Sequence, residues 1–113
     1  MIVLPAIDSI ERSGSALRLN FVVPAGLRYF EGHFPEVSLL PGVVQIGWAM
    51  ELARQHLAAP AGFRALSNVK FMRVIQPGAV VSLNLRMAEE GRELHFEYLC
   101  GEETCSSGRA LFH

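Results

Sequence analysis

The chain reads as an α+β domain in which an antiparallel sheet curls around one helix, with two strands before the helix and four after it. Three observations predict this. Leu17, Leu19, Phe21 and Val23 alternate with Arg18, Asn20 and Val22, the period of a strand with one apolar face. Residues 43–53 hold only two strongly polar side chains, Gln45 and Glu51, and so suit a helix buried on most sides. After Ala58-Ala59-Pro60-Ala61-Gly62 the chain returns to short apolar runs separated by turn residues.

Taken in order, residues 2–11 and 16–23 are the first two strands, and Ser13-Gly14-Ser15 between them is a hairpin turn. From 24 to 40 no period holds, and two Gly, two Pro and several aromatic residues crowd a segment too long for a plain connection, which marks it as functional. A helix starts near Pro41-Gly42 and ends before Pro60. Residues 65–75, 80–87, 94–100 and 104–112 are the remaining strands, with turns at Pro77-Gly78 and Glu89-Glu90-Gly91-Arg92. No repeat or linker interrupts the series, so residues 1–113 are expected to form a single domain. A sheet wrapped on one helix leaves open edges, and pairing two copies covers them, so a homodimer or higher homo-oligomer is expected.

Ten Lys and Arg against eleven Asp and Glu give a net charge of -1, with no basic tail or stripe of the kind that draws nucleic acid. No apolar stretch reaches the length of a membrane span, and residues 1–8 lack the layout of a signal peptide, so a cytoplasmic protein is expected. Cys100 and Cys105 flank a turn-like stretch and read either as a cross-strand bridge or as two reduced thiols, the second suiting that compartment. Neither has partners at zinc-site spacing, and no metal or other cofactor is expected. His56, His95 and His113 share no spacing that would bind a metal or form a triad.

The most informative stretch is Tyr29-Phe30-Glu31-Gly32-His33-Phe34-Pro35, followed by Leu40-Pro41-Gly42-Val43-Val44-Gln45-Ile46. With Asn68-Val69-Lys70-Phe71 and Gln76-Pro77-Gly78, it resembles the 3-hydroxyacyl-[acyl-carrier-protein] dehydratases of fatty-acid synthesis over about three quarters of the chain. The resemblance implies a hot-dog fold and a lyase that removes water from a 3-hydroxyacyl thioester on acyl carrier protein, with coenzyme A as the alternative carrier. It makes His33 the catalytic base. Phe30, Phe34, Gly47 and Phe71 are then candidate substrate contacts.

The chemistry agrees. Removing a proton beside a thioester carbonyl needs a base near neutral pKa and a donor for the developing enolate oxygen. The apolar neighbours Phe30, Phe34 and Pro35 disfavour a charged His33. Gly42, at the start of the helix, offers an unpaired backbone N–H at the positive end of the dipole, and the missing side chain admits a thioester closely.

One departure matters. In the dehydratases an acidic residue lies fourteen positions after the histidine, and here that position is Gly47. Glu51, one turn further along about 6 Å away, is either a displaced acid or the partner of a cation such as Arg54. Alternatively His33 works alone, removing the C2 proton and passing it to the C3 hydroxyl directly or through water. Such an acid-poor sequence also looks like the dehydratases of aryl polyene pigment clusters, whose flat, conjugated chains Gly47 would admit, although Gly47 can equally make room for Trp48. Arg28, Arg64, Lys70 and Arg73 are either a docking patch for an acidic carrier protein or scattered solvated charges. Two other functions use the same fold: an acyl thioesterase, and a non-catalytic acyl-binding partner subunit.

Overall fold

A computed structural model describes residues 4–24, 39–60 and 62–113. Six strands and one helix follow along them: β1 (Ile7–Ser13), β2 (Ala16–Val22), α1 (Gly42–Leu57), β3 (Phe63–Phe71), β4 (Val80–Ala88), β5 (Glu93–Cys100) and β6 (Glu103–Phe112). The strands form one sheet in the order β1-β2-β4-β5-β6-β3, each pair antiparallel. Strands β1 and β3 are its edges.

The hairpin closes across Gly14-Ser15, with Ser13 opposite Ala16 and Gly14 at φ 61°. A two-residue turn demands that left-handed geometry, and glycine supplies it without steric cost. β1 begins at Ile7, later than the apolar run suggests, because Pro5 has no N–H to give a ladder. At the helix end Ala58 turns left-handed and the Ala59 N–H reaches back to the Ala53 carbonyl, after which Pro60 cannot continue the coil.

The inward residues of alternate rows make the core: Leu17, Leu19 and Phe21 of β2, Val81, Leu83 and Leu85 of β4, and Leu94, Phe96 and Tyr98 of β5. Against them α1 buries Gln45, Trp48, Ala49, Leu52 and Ala53, one stripe at helical spacing. Trp48 meets Phe21 edge to face, with ring centroids 5.9 Å apart. Within the single chain, burial stops at that stripe: Val43 is 76% exposed, and Ile46 and Met50 are only partly covered. The expectation of a helix buried on most sides is therefore met on the sheet side alone.

β3 ends at Phe71 rather than at residue 75 because the N–H groups of Met72 and Arg73 both donate to the Cys105 carbonyl, at 2.8 and 3.0 Å. That carbonyl is available because Cys105 is an extra residue in β6, falling between the pairs Leu99–Thr104 and Tyr98–Ser106. A second bulge lies in β3 itself. Ser67 faces Arg109 and Lys70 faces Ser107, so β3 spends one residue more than β6, and Asn68 adopts φ 52° there. An extra residue inverts the alternation beyond it. Leu66, paired with buried Ala110, and Phe71, paired with buried Ser106, both face α1 although they are five positions apart.

Candidate active site

One row of side chains crosses the sheet under the first turn of α1. The register Leu19–Leu83–Tyr98–Ser106–Phe71 runs from β2 through β4, β5 and β6 to β3. Its last three members each touch the helix start. The Phe71 ring lies against Gly42 so closely that a Cβ there would stand 2.5 Å from ring carbon Cζ. The Ser106 hydroxyl donates to Gln45 Oε1 at 2.6 Å, and the Tyr98 hydroxyl donates to the Gln45 carbonyl, also at 2.6 Å. Gln45 Nε2 in turn donates to the Leu40 carbonyl at 3.0 Å, and the Leu40 N–H donates to the Ile75 carbonyl at 2.7 Å. Gln45, Ser106 and Tyr98 are all buried, and burial pushes the Tyr98 phenol well above its ordinary value.

Pro41 caps the helix start without a side-chain hydrogen bond, and the Pro41 carbonyl takes the N–H groups of Val44 and Gln45. The N–H groups of Gly42 and Val43 have no acceptor among the described residues. Two donors at the positive end of a helix of 16 residues can hold a partial negative charge on an oxygen. Phe71, 52% exposed, adds an apolar wall beside them.

Of the residues expected at the site, Gly42 and Phe71 are brought together, whereas His33, Phe30 and Phe34 lie outside the described residues, as does Arg28. Gly47 and Glu51 stand on α1 at four-residue spacing from Val43, on the side away from the sheet. The Glu51 carboxylate takes two hydrogen bonds from Arg54, at 3.1 and 3.0 Å, and a longer one from Gln55. The Arg54 bond holds the Glu51 carboxyl below its ordinary range. That favours a charged acceptor over a proton donor.

The other cations disperse. Arg73 pairs with Glu103 at 2.8 Å, and Arg64 stands at the far end of β3 with Arg92 and His113. Lys70 points to the opposite face of the sheet, where it joins Arg12, Arg18, Arg86 and Arg109 along a groove of about 930 Å³. That groove is walled by outward rows and lies across the sheet from Gly42. Cys100 and Cys105 are free thiols with their sulfurs 2.9 Å apart, and burial first, then contact with Cys105, pushes the Cys100 thiol up to about 12.

Tyr98 and Ser106 stand outside the motifs, and Gln45 and Asn68 stand in them without an assigned role. The signal for Gln45 was present as a lone polar residue on the apolar stripe. Tyr98 and Ser106 become its partners only through strand register.

The family model described as ApeI-like, ApeI dehydratase, matches residues 9–109. The chain belongs to the ApeI-like dehydratase family. Among solved structures, the dehydratase heterocomplex ApeI:P from Xenorhabdus doucetiae is similar, with a TM-score of 0.86 and 32% identity over 95% of this chain and 96% of that one. Curated relatives agree. The 3-hydroxyacyl-[acyl-carrier-protein] dehydratase FabZ of Natranaerobius thermophilus is 28% identical over 100 residues, 80% of this chain and 70% of that protein. FabZ of Shewanella sp. strain MR-4 is 32% identical over 95 residues, 70% of this chain and 61% of that protein. The chain thus spans 61% to 70% of the length of these two relatives. The fold of this family member is the hot-dog fold, and it falls on the aryl polyene side of the hot-dog dehydratases. No helix of the described residues is long and apolar enough to cross a membrane.

Proposed function

We propose that the protein converts 3-hydroxyacyl thioesters, carried on acyl carrier protein in the cytoplasm, to trans-2-enoyl thioesters. The observation that carries the reading is the Gly42 N–H, without an acceptor among the described residues, beside Phe71 at the start of a helix packed on the sheet, combined with membership of a dehydratase family. His33 takes the proton from C2, and the enolate oxygen that forms rests on the Gly42 N–H. The enolate then expels the C3 hydroxyl, which leaves as water on receiving a proton. The C2–H and C3–O bonds break, and the C2–C3 double bond forms.

Because Arg54 holds Glu51 ionised, Glu51 is a poor source of that proton, and the His33 imidazolium supplies it. Phe30, Phe34 and Phe71 line the acyl chain. Gly47 leaves room on the open face of α1 for a flat, unsaturated tail. That face and the edge strand β3 need cover: Phe63, Leu66 and Phe71 of β3 and Val43 of α1 are all exposed in the single chain. A second subunit paired along β3 supplies it, either another copy or, as in the relative solved as a heterocomplex, a different chain.

The test is mass spectrometry of purified protein with saturated and polyunsaturated 3-hydroxyacyl carrier-protein thioesters, wild type against His33→Ala. Loss of one water from the intact thioester, abolished by the substitution, is expected. Release of free acid would instead indicate a thioesterase, and binding without turnover a non-catalytic partner subunit.

A further inference from the structure

We infer that Gln45, Tyr98 and Ser106 are positioning residues that aim the Gly42 N–H at the thioester oxygen. This rests on the reading of Gly42 as the oxyanion donor. A helix start normally frays, and this one has no side-chain cap to steady it. The sheet does that work instead. Tyr98 and Ser106 are direct cross-strand neighbours, and their hydroxyls grip the carbonyl and the side chain of the same residue, Gln45, each at 2.6 Å. The far end of the Gln45 amide holds the Leu40 carbonyl, two residues before Gly42. Gly42 thus sits between two points, Leu40 and Gln45, both tied to the sheet through buried hydrogen bonds. The next residue of the same row, Phe71, bears on Gly42 directly.

Every polar atom of the trio faces another member or a backbone carbonyl, and no buried side-chain nitrogen or oxygen among the described residues lacks a partner. A closed network of this kind in a dry site fixes one arrangement, because any other leaves a buried polar atom unpaired. An apolar residue at 45 would free the Leu40 carbonyl, leaving only the Leu40 N–H tied to Ile75, and would leave the buried Ser106 hydroxyl without its acceptor. The network therefore bears on the direction of the donor as well as on the core. Misplacing a catalytic group by about 1 Å costs on the order of a hundredfold in rate, so partial loosening is expected to cost about tenfold.

The experiment compares wild type with Tyr98→Phe, Ser106→Ala and Ser106→Thr, using butyryl-pantetheine labelled with carbon-13 at the carbonyl, which lacks the leaving hydroxyl. The infrared stretch of the bound carbonyl reports the donor, and dehydration kinetics are measured alongside. On wild type the stretch is expected at lower frequency than in water. In Tyr98→Phe and Ser106→Ala the lowering is expected to shrink and kcat to fall about tenfold with KM within twofold, while Ser106→Thr, which keeps the hydroxyl, stays near wild type. Variants that lose thermal stability yet keep the full carbonyl shift and kcat would overturn the positioning role and leave the Gly42 donor standing. A wild-type carbonyl that does not shift would overturn the donor itself, and the positioning role with it.

Discussion

Gly42→Ala separates the packing of the site from its chemistry. The added methyl would stand 2.5 Å from Phe71 Cζ and 2.8 Å from Cε1, whereas carbon atoms rest about 3.5–4 Å apart. The ring must therefore retreat by about 1 Å. Phe71 is half exposed and can tilt toward solvent, so the cost should fall at the low end of overpacking, roughly 1 kcal/mol. Removing a glycine from the unfolded ensemble returns about 0.4–1 kcal/mol. Stability should then lie within about 1 kcal/mol of wild type, a change in Tm of a few degrees. Activity should not survive so well, because the methyl blocks the approach to the Gly42 N–H. Loss of such a donor costs about 10²–10³ in kcat. Thermal unfolding and the mass-spectrometric assay measure the two effects on one sample. Repeating the change in a Phe71→Ala background removes the clash, so Gly42→Ala should become neutral or stabilising there while activity stays low. Full activity in the single variant, or an unchanged stability cost in the double variant, would refute the reasoning.

Other expectations concern the bulge, the buried phenol and the open helix face. Asn68 sits at φ 52°, so Asn68→Val should lower stability by about 1–2 kcal/mol in urea unfolding and reduce activity by disturbing Phe71, whereas Asn68→Gly should be tolerated. The Tyr98 phenol is raised in the folded state. Below the ordinary value both states keep the proton; above it only the unfolded chain releases it, so from about pH 10 Tyr98 should lower stability by about 1.4 kcal/mol per unit in addition to the loss from the raised Cys100 thiol, and Tyr98→Phe should remove only the Tyr98 share. Glu51 is lowered in the folded state, so its small contribution is present above the ordinary carboxylate value and fades as pH falls through the folded value. Carbon-13 NMR of the carboxyl should give a midpoint below 4.5, and Glu51→Gln should keep most activity while His33→Ala loses it. Gly47→Glu should slow polyunsaturated substrates more than saturated ones in competition assays; equal slowing would count against a spacer role for Gly47.

Much of this was legible in the sequence because the signals are local. The alternation in β2, the apolar run of α1 and the turn at Gly14 each lie within a window of a few residues, and the succession of elements along the chain could be placed around them. Gly42 was legible because a glycine after a proline at a helix start has a restricted use. Phe71 was legible only through the motif around it, since its inward direction depends on an extra residue in β3 that alternation from Ala65 onward does not reveal. The end of β3 was misjudged for a related reason: the acceptor that turns Met72 and Arg73 aside is the carbonyl of another bulge, 33 positions away from Met72, on β6. Bulges are decisions of paired strands, and a single strand read alone does not contain them.

In the proposed reaction the two sides of α1 do different work, and neither replaces the carboxylate of an acid-bearing dehydratase. A carboxylate at position 47 would donate a proton and, when charged, raise the pKa of a nearby histidine. With glycine there and Glu51 already compensated by Arg54, α1 carries no uncompensated carboxylate. In the proposed reaction His33 must therefore both take the C2 proton and hand it on to the departing hydroxyl without help from a carboxylate on α1. The helix must supply the rest by geometry. The sheet-facing side, through Gln45, can hold the oxyanion donor still, and the opposite side, relieved of the carboxylate, can take a broader acyl chain. Less acid assistance demands a better-aimed donor, which makes the buried trio more consequential in this chain than it would be in a dehydratase that kept its acid.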